Sequence, residues 1–331
     1  FDVIITNPPF GSDTTSQEAL EALELGRGRV SRRRGVLFVE RCLELVRPGG
    51  TVCIVVDDSI TTGGSCVDVR RLVLDRAHVR AVVALPETTF MPYASVRTSI
   101  LLLERRRRGL RRSPTFFARS DDGAEDLKAI ASLYAGQEAF PGAPRHFTAQ
   151  LPATADPGFA RHGLRMDPEY HGPEGMGTRR QLVRSAHPVH PLSSLCTVRL
   201  ETVSPARDLG NATFSYVALS DMDPHTGKLT PRRVRADSVR GPLRVFEPGD
   251  ILYSRLRPAL RKVCLVPPSA GRGLASPECV VLVPHSGQDP AMLPELLAHL
   301  LRSDLALDQV RHLVTGVGRP RLSRRAILDI R

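Results

Sequence analysis

The chain opens on an apolar run, Val3-Ile4-Ile5-Thr6, that breaks off at Asn7-Pro8-Pro9-Phe10. This pattern predicts a buried strand that delivers its last residues to the carboxyl end of a sheet, where open α/β sheets place their ligands. Residues 11–35 are polar and rich in small residues and end in Arg32-Arg33-Arg34, which predicts a mobile loop with a short helix near Glu18 to Leu25. Apolar residues at Val36, Leu37, Val39, Cys42, Leu43, Leu45 and Val46 then predict a mostly buried helix, stopped by Arg47-Pro48-Gly49-Gly50. Thr51 to Val56 has the composition of a central parallel strand and ends in Asp57-Asp58-Ser59. A helix over Val67 to Ala77, a strand over Val79 to Pro86, a turn at Phe90-Met91-Pro92-Tyr93 and a last strand from Ser95 to Leu103 complete the series. Helices and strands alternating across short Gly turns predict an α/β fold with a partial doubly wound sheet.

Beyond the basic stretch 104–112 the periodicity weakens. Residues 116–135 accommodate a short strand and one helix, and 136–190 are dominated by Pro, Gly, His and Arg. The pattern predicts a connecting region with few regular elements, its histidines, including His146, His162, His171 and His187, facing solvent. From Pro191 short strands return. They are expected at Phe214 to Leu219, after the Pro248-Gly249-Asp250 turn with Arg255 and Arg257 on one face, at Lys262 to Pro267 and at Glu278 to Pro284. A helix with Leu293, Leu296, Leu297, Leu300 and Leu301 at helical spacing and a flexible basic loop from Thr315 to Ser323 follow. The expected division is 1–112, a connector at 113–190, and a smaller α+β, β-rich domain at 191–331.

Composition narrows the function classes. With 41% hydrophobic and 24% charged residues over 331 positions, the chain can bury two cores. No apolar run reaches membrane-span length and no signal peptide opens the chain, so a cytoplasmic location and no membrane partner are expected. The formal charge of +11 predicts attraction to a polyanion, nucleic acid first. That charge is almost all Arg, with Lys only at 128, 228 and 262, a bias that coding-sequence composition also produces. The six cysteines form no CxxC pair and have no His at finger spacing, which argues against a metal site and for reduced, buried thiols.

The candidate chemistry lies at Asn7, Pro8 and Phe10. Two prolines fix φ and leave rigid carbonyls with no N–H beside them, Asn7 adds an amide oxygen, and Phe10 adds an aromatic face. Together they suit an exocyclic amine on a planar base. FDVIITNPPFGS resembles the amino-binding motif of the adenine-N6 DNA methyltransferases of Type I and related fused restriction-modification systems. LFVERCLELVRPGGTVCIVV and VRAVVALPETTFMPYASVRTSILLLER resemble the elements that follow that motif. The resemblance implies a flipped base whose N6 is held by the Asn7 side chain and the Pro8 carbonyl, with Phe10 on the ring. It also implies direct methyl transfer from S-adenosylmethionine. Asn7 would then lie near the cofactor, but the Gly-rich cofactor loop and the following acidic residue are expected upstream of Phe1.

EPGDILYSRLRPALRKVCLV and TGVGRPRLSRRAILDI resemble one target-recognition domain of Type I specificity subunits. The resemblance implies double-stranded DNA as partner, together with restriction, modification or specificity subunits, and makes Arg255, Arg257, Arg261, Arg319 and Arg321 candidate DNA contacts. The leading expectation is therefore a site-specific DNA methyltransferase with its own recognition domain. The alternative is a non-catalytic DNA-binding subunit or degenerate remnant, and cytosine N4 remains a possible acceptor.

Overall fold

In a computed structural model the chain divides into two compact units, Phe1–Pro173 and Glu174–Arg331. The structure describes residues 1–94, 96–107, 113–138, 143–156, 159–160, 163–285, 294–314 and 319–331. Ser95, residues 108–112 of the basic stretch 104–112, His162, Leu293 and residues 315–318 of the loop 315–323 fall outside them.

The first unit is built on a six-stranded sheet in the order β1-β4-β6-β5-β7-β8. Its strands are β1 (Val3–Thr6), β4 (Thr51–Asp57), β5 (Ala77–Ala84), β6 (Thr98–Arg105), β7 (Thr115–Arg119) and β8 (His146–Ala149). β1 runs parallel to β4 with Val3 opposite Thr51 and Thr6 opposite Ile54. β5 runs parallel to β7. β6 is antiparallel to both β4 and β5, so the sheet is mixed and β4 is parallel to its neighbour on one side only.

The helices α2 (Arg34–Leu45) and α4 (Val67–Arg76) pack on one face, joining Val36, Leu43, Val69 and Val73 to Val52, Ile54, Val79 and Val82. On the other face α5 (Gly123–Tyr134) brings Ile130 and Leu133 against Ala81, Val83 and Phe116. A sheet covered on both faces has strands apolar along their whole length, which explains the run of β5. Two expectations are corrected. β1 is an edge strand with Val3 58% and Ile5 79% exposed, because it is paired only with β4 and only its Ile4 face packs on the core. Residues 113–173 are part of the first unit, for β7, β8 and α5 extend its sheet and core.

The segment 159–171 is held by a buried cation. Arg70, fully buried on α4, donates from Nε to the Gly163 carbonyl (2.7 Å), from Nη1 to that of Ile60 (2.8 Å) and from Nη2 to that of Gly63 (2.8 Å). Burial pushes its pKa down to about 10, still far enough above neutrality for the side chain to stay charged. His171, expected in solvent, is buried against the Phe117 ring at 4.9 Å, with Nε2 2.8 Å from the Arg165 carbonyl.

The second unit is β-rich. One sheet has the order β10-β13-β16-β11-β12 and the other β15-β14-β17-β9. Here β9 is Cys196–Val198, β10 Thr202–Val203, β11 Thr213–Val217, β12 Arg232–Arg235 and β13 Leu243–Phe246. They are followed by β14 (Ile251–Ser254), β15 (Val263–Leu265), β16 (Gly273–Ala275) and β17 (Cys279–Pro284). Phe246, Leu252, Cys264, Ala275 and Val281 share a core that joins the sheets. The helices Pro294–Leu300, Asp304–Val310 and Arg324–Leu328 cover a second core under β14 and β17. Of the leucines expected at helical spacing Leu301 is buried, but Leu296 and Leu300 are exposed, and Ala298 takes a buried position instead.

Arg70→Met removes the donor of three carbonyls, that of Ile60 buried, and should cost about 3–5 kcal/mol, read as a lower urea midpoint for the first unit by circular dichroism. Arg70→Lys should recover only part, because a point ammonium cannot span the three acceptors.

Candidate functional site

The carboxyl edge of the parallel strands gathers the polar groups of the first unit. β1 hands the chain to Asn7, which is exposed, and Pro8, which is buried, while Phe10 is half-buried. Among the described residues the Asn7 amide and the Pro8 and Pro9 carbonyls make no hydrogen bond, so three oxygens with free lone pairs cluster at one turn. The Phe10 ring meets Phe90 edge to face, with centroids 4.8 Å apart. Phe90 belongs to the turn after β5, held by Thr89 donating to the Pro86 carbonyl (2.8 Å) and by the Arg97–Glu87 ion pair (2.5 Å). Met91 and Tyr93 project from the same turn into solvent. From sequence Phe90 is a turn residue only. The Pro-Tyr turn marked the bend, but nothing in the sequence spacing joined it to Phe10.

The segment that leaves Phe10 is anchored, not the expected mobile loop. Its strand β2 (Asp13–Thr14) pairs with β3 (Arg32–Arg33), and Leu20, Leu23 and Leu25 are buried. Both carboxylate oxygens of Glu40, itself buried on α2, accept backbone N–H groups, from Glu24 and Leu25 at 2.8 Å each. The arginine triplet is largely committed to this anchoring. Arg32 is buried on Asp68 at 2.8 Å, and Arg33 reaches Asp57 at 3.2 Å. Among the described residues only Arg34 of the three stands without an ion pair.

At the end of β4, Asp57 caps the helix α3 (Asp58–Thr62) by accepting from the Ser59 N–H at 2.9 Å. Asp58 beside it lies near a charged cluster that the sequence did not reveal. Arg165 and Asp167 form a buried two-pronged pair, 2.7 Å at each contact, and Asp167 caps the turn Pro168–His171. Burial, reinforced by the Asp167 charge, pushes the Asp58 carboxyl above its ordinary pKa, against the pull of Arg165 and Arg97. Burial likewise raises Glu169, whose partner is Arg119 at 3.3 Å. The Asp-Pro dipeptide at 167–168 is a helix-start signal. It sits in a stretch otherwise without periodicity, which hides the signal.

In the second unit the candidate arginines come together from distant positions. Arg255 donates its backbone N–H to the Glu278 carbonyl and accepts from Leu322, and Arg257 donates to the Pro320 carbonyl. Leu256 bridges Arg321. β14 ends at Ser254, so Arg255 and Arg257 lie beyond it and do not share a strand face as expected. Arg257 and Arg261 take left-handed backbone conformations on either side of the turn Pro258–Leu260. Arg321 is held by both oxygens of Glu278, and Arg261 by Asp304. Arg319 is exposed.

Residues 1–130 match the profile of the family described as N-6 DNA Methylase. Two curated relatives are the Type I restriction enzyme EcoEI methylase subunit of Escherichia coli and the StySPI methylase subunit of Salmonella potsdam. The first is 30% identical over 101 residues, covering 30% of this chain and 20% of the relative; the second is 30% identical over 102 residues, covering 30% and 18%. The chain thus spans about a fifth of these relatives' length. Among solved structures, the HsdS subunit from Thermoanaerobacter tengcongensis is similar at 24% identity and a TM-score of 0.38, over 43% of this chain and 36% of that one.

Glu40→Ala strands the two N–H groups that anchor the loop. It should cost about 3 kcal/mol and speed tryptic cleavage at Arg27 and Arg29, whereas Glu40→Gln should retain part of the protection.

Proposed function

We propose that this chain carries the base-holding side of a DNA adenine-N6 methylation site and, in residues 174–331, a DNA-reading unit of a restriction-modification enzyme. The observation that carries the reading is the turn itself: unpaired oxygens of Asn7 and the two prolines beside the Phe10–Phe90 aromatic pair. It lies within the segment that matches the methylase family.

The chemistry follows from that geometry. A flipped adenine stacks on an aromatic face, and Phe10 and Phe90, now edge to face, part to admit it. The Asn7 side-chain oxygen and the Pro8 carbonyl accept the two hydrogens of N6. Pulling on both hydrogens weakens conjugation of the nitrogen with the ring, so its lone pair becomes the nucleophile, and one N–H proton leaves once the new N–C bond has formed. The methyl group comes from S-adenosylmethionine. No glycine-rich loop after a strand, with an acid after the next, occurs among the described residues to cradle it, and no step is assigned to its binding here. Gly63 ends α3 as its C-cap, and its carbonyl accepts from Arg70. The reading takes double-stranded DNA as substrate, with restriction, modification or specificity subunits as partners. Arg255, Arg257 and Arg319 serve as its DNA contacts, while Arg321 is held by Glu278.

Transfer of labelled methyl groups to duplex DNA, followed by nucleoside analysis, tests the reading on this chain and on one extended upstream of Phe1. N6-methyladenine supports it; N4-methylcytosine changes the acceptor; binding without transfer in the extended chain favours the non-catalytic alternative. Asn7→Ala should lower transfer by about 10²–10³-fold and leave duplex affinity unchanged, and loss of duplex binding instead assigns Asn7 a structural role. Phe90→Ala should weaken capture of the flipped base by about 1–3 kcal/mol, seen as a smaller fluorescence rise of 2-aminopurine at the target position.

A further inference from the structure

One cleft of the second unit has an unbalanced set of charges. It lies over β17, with Pro277 and Cys279 in its wall, and four arginines from separate elements line it: Arg199, Arg244, Arg255 and Arg324. Arg199 follows β9, Arg244 stands on β13, Arg255 follows β14 and Arg324 begins the last helix. Only Arg199 is neutralised, by Asp250 at 2.9 Å and Glu247 at 3.0 Å. Asp250 is buried and also accepts the Glu247 N–H at 2.8 Å, so the Pro-Gly-Asp turn clamps Arg199 in place.

Arg244, Arg255 and Arg324 have no carboxylate within ion-pair distance among the described residues. The nearby Glu278 is already taken by Arg321. The Nε of Arg255 is buried without an acceptor. A buried guanidinium N–H left unpaired is costly, and three uncompensated cations around one cleft repel one another. The repulsion falls if an oxyanion sits among them, offering acceptors to the guanidinium N–H groups that line the cleft and compensating charge to the three side chains.

We propose that this cleft is a phosphate-binding site, a tetrahedral oxyanion held by Arg244, Arg255 and Arg324 over a floor that Arg199 and Asp250 keep rigid. The phosphate is either a backbone phosphodiester of duplex DNA or that of a small phosphate compound. The duplex source rests on the DNA-reading role proposed above; the oxyanion site itself does not. It differs from the arginines singled out by sequence, since Arg244 lies outside both signature segments, Arg324 is not among the candidate contacts, and Arg261 and Arg321 are spent on carboxylates.

Two measurements on the full chain test it. In the first, inorganic phosphate is added at constant ionic strength and thermal unfolding is followed. The unfolding midpoint should rise for the parent chain and for Arg240→Ala, an exposed arginine away from the cleft, and stay flat for Arg244→Ala/Arg324→Ala. In the second, duplex affinity is measured against salt, and each cleft substitution should reduce the log–log slope by about one, with Arg240→Ala setting the background. A phosphate response together with a slope change identifies the DNA backbone as the source. A phosphate response with unchanged slopes identifies a small phosphate compound and leaves the DNA-reading role to be judged by duplex binding of the parent. If phosphate fails to stabilise the parent and the cleft variants keep its salt slope, the site does not exist.

Discussion

The parallel pairing of β1 with β4 sets the arrangement of the first unit. Thr6 lies opposite Ile54, so the chain leaves β1 at Asn7 on the same edge where β4 leaves at Asp57. Parallel neighbours must both release their chains at one edge, and the connection between them has to cross a face of the sheet. Here α2 is that crossover, and the return path of residues 11–33 is pinned by Glu40 from that helix and by Arg33 on Asp57. The Asn7 turn is thereby rigid without a hydrogen bond to its own oxygens, which stay free for a ligand.

The antiparallel insertion of β6 between β4 and β5 has a related effect. It brings Thr98 opposite Asp57 and places the turn 85–97 over the same edge, which is how Phe90 reaches Phe10. Around this edge the unit tolerates buried charge only in paired form. Arg165 with Asp167, Arg32 with Asp68 and Arg70 with its three carbonyls each have partners for their charge, although Arg32 Nε finds no acceptor among the described residues. Asp58 is the exception, with no ion pair among the described residues, and its carboxyl is correspondingly pushed toward the neutral form.

The second unit handles charge differently. Its turns convert several arginines into structural clamps, Arg199 on Asp250 and Arg321 on Glu278, leaving others unsatisfied where two sheets and a helix approach. Net positive charge is therefore a poor guide to which arginines are available: the chain carries +11, yet Arg261 and Arg321, prominent in the sequence, are already paired. The six thiols are all free, and all but Cys53 are buried, with Cys196 and Cys264 pushed up to about 11 by burial.

By itself the sequence determined the alternation of helix and strand over residues 34–105, the turn at Asn7 to Phe10, and the β-rich character of the end of the chain. Those features are local: hydrophobic period, Pro and Gly stops and β-branched runs act over a few residues and can be read from them. Only the tertiary structure decided that β1 is an edge, that 113–173 belongs to the first unit, that Arg32 and Arg33 face carboxylates, and that Phe90 meets Phe10. Each of these depends on which strand lies beside which, and on charges brought together from positions tens of residues apart. A side chain's spacing along the chain does not encode its partner; strand order and burial select it, because a desolvated charge persists only where the fold supplies its complement.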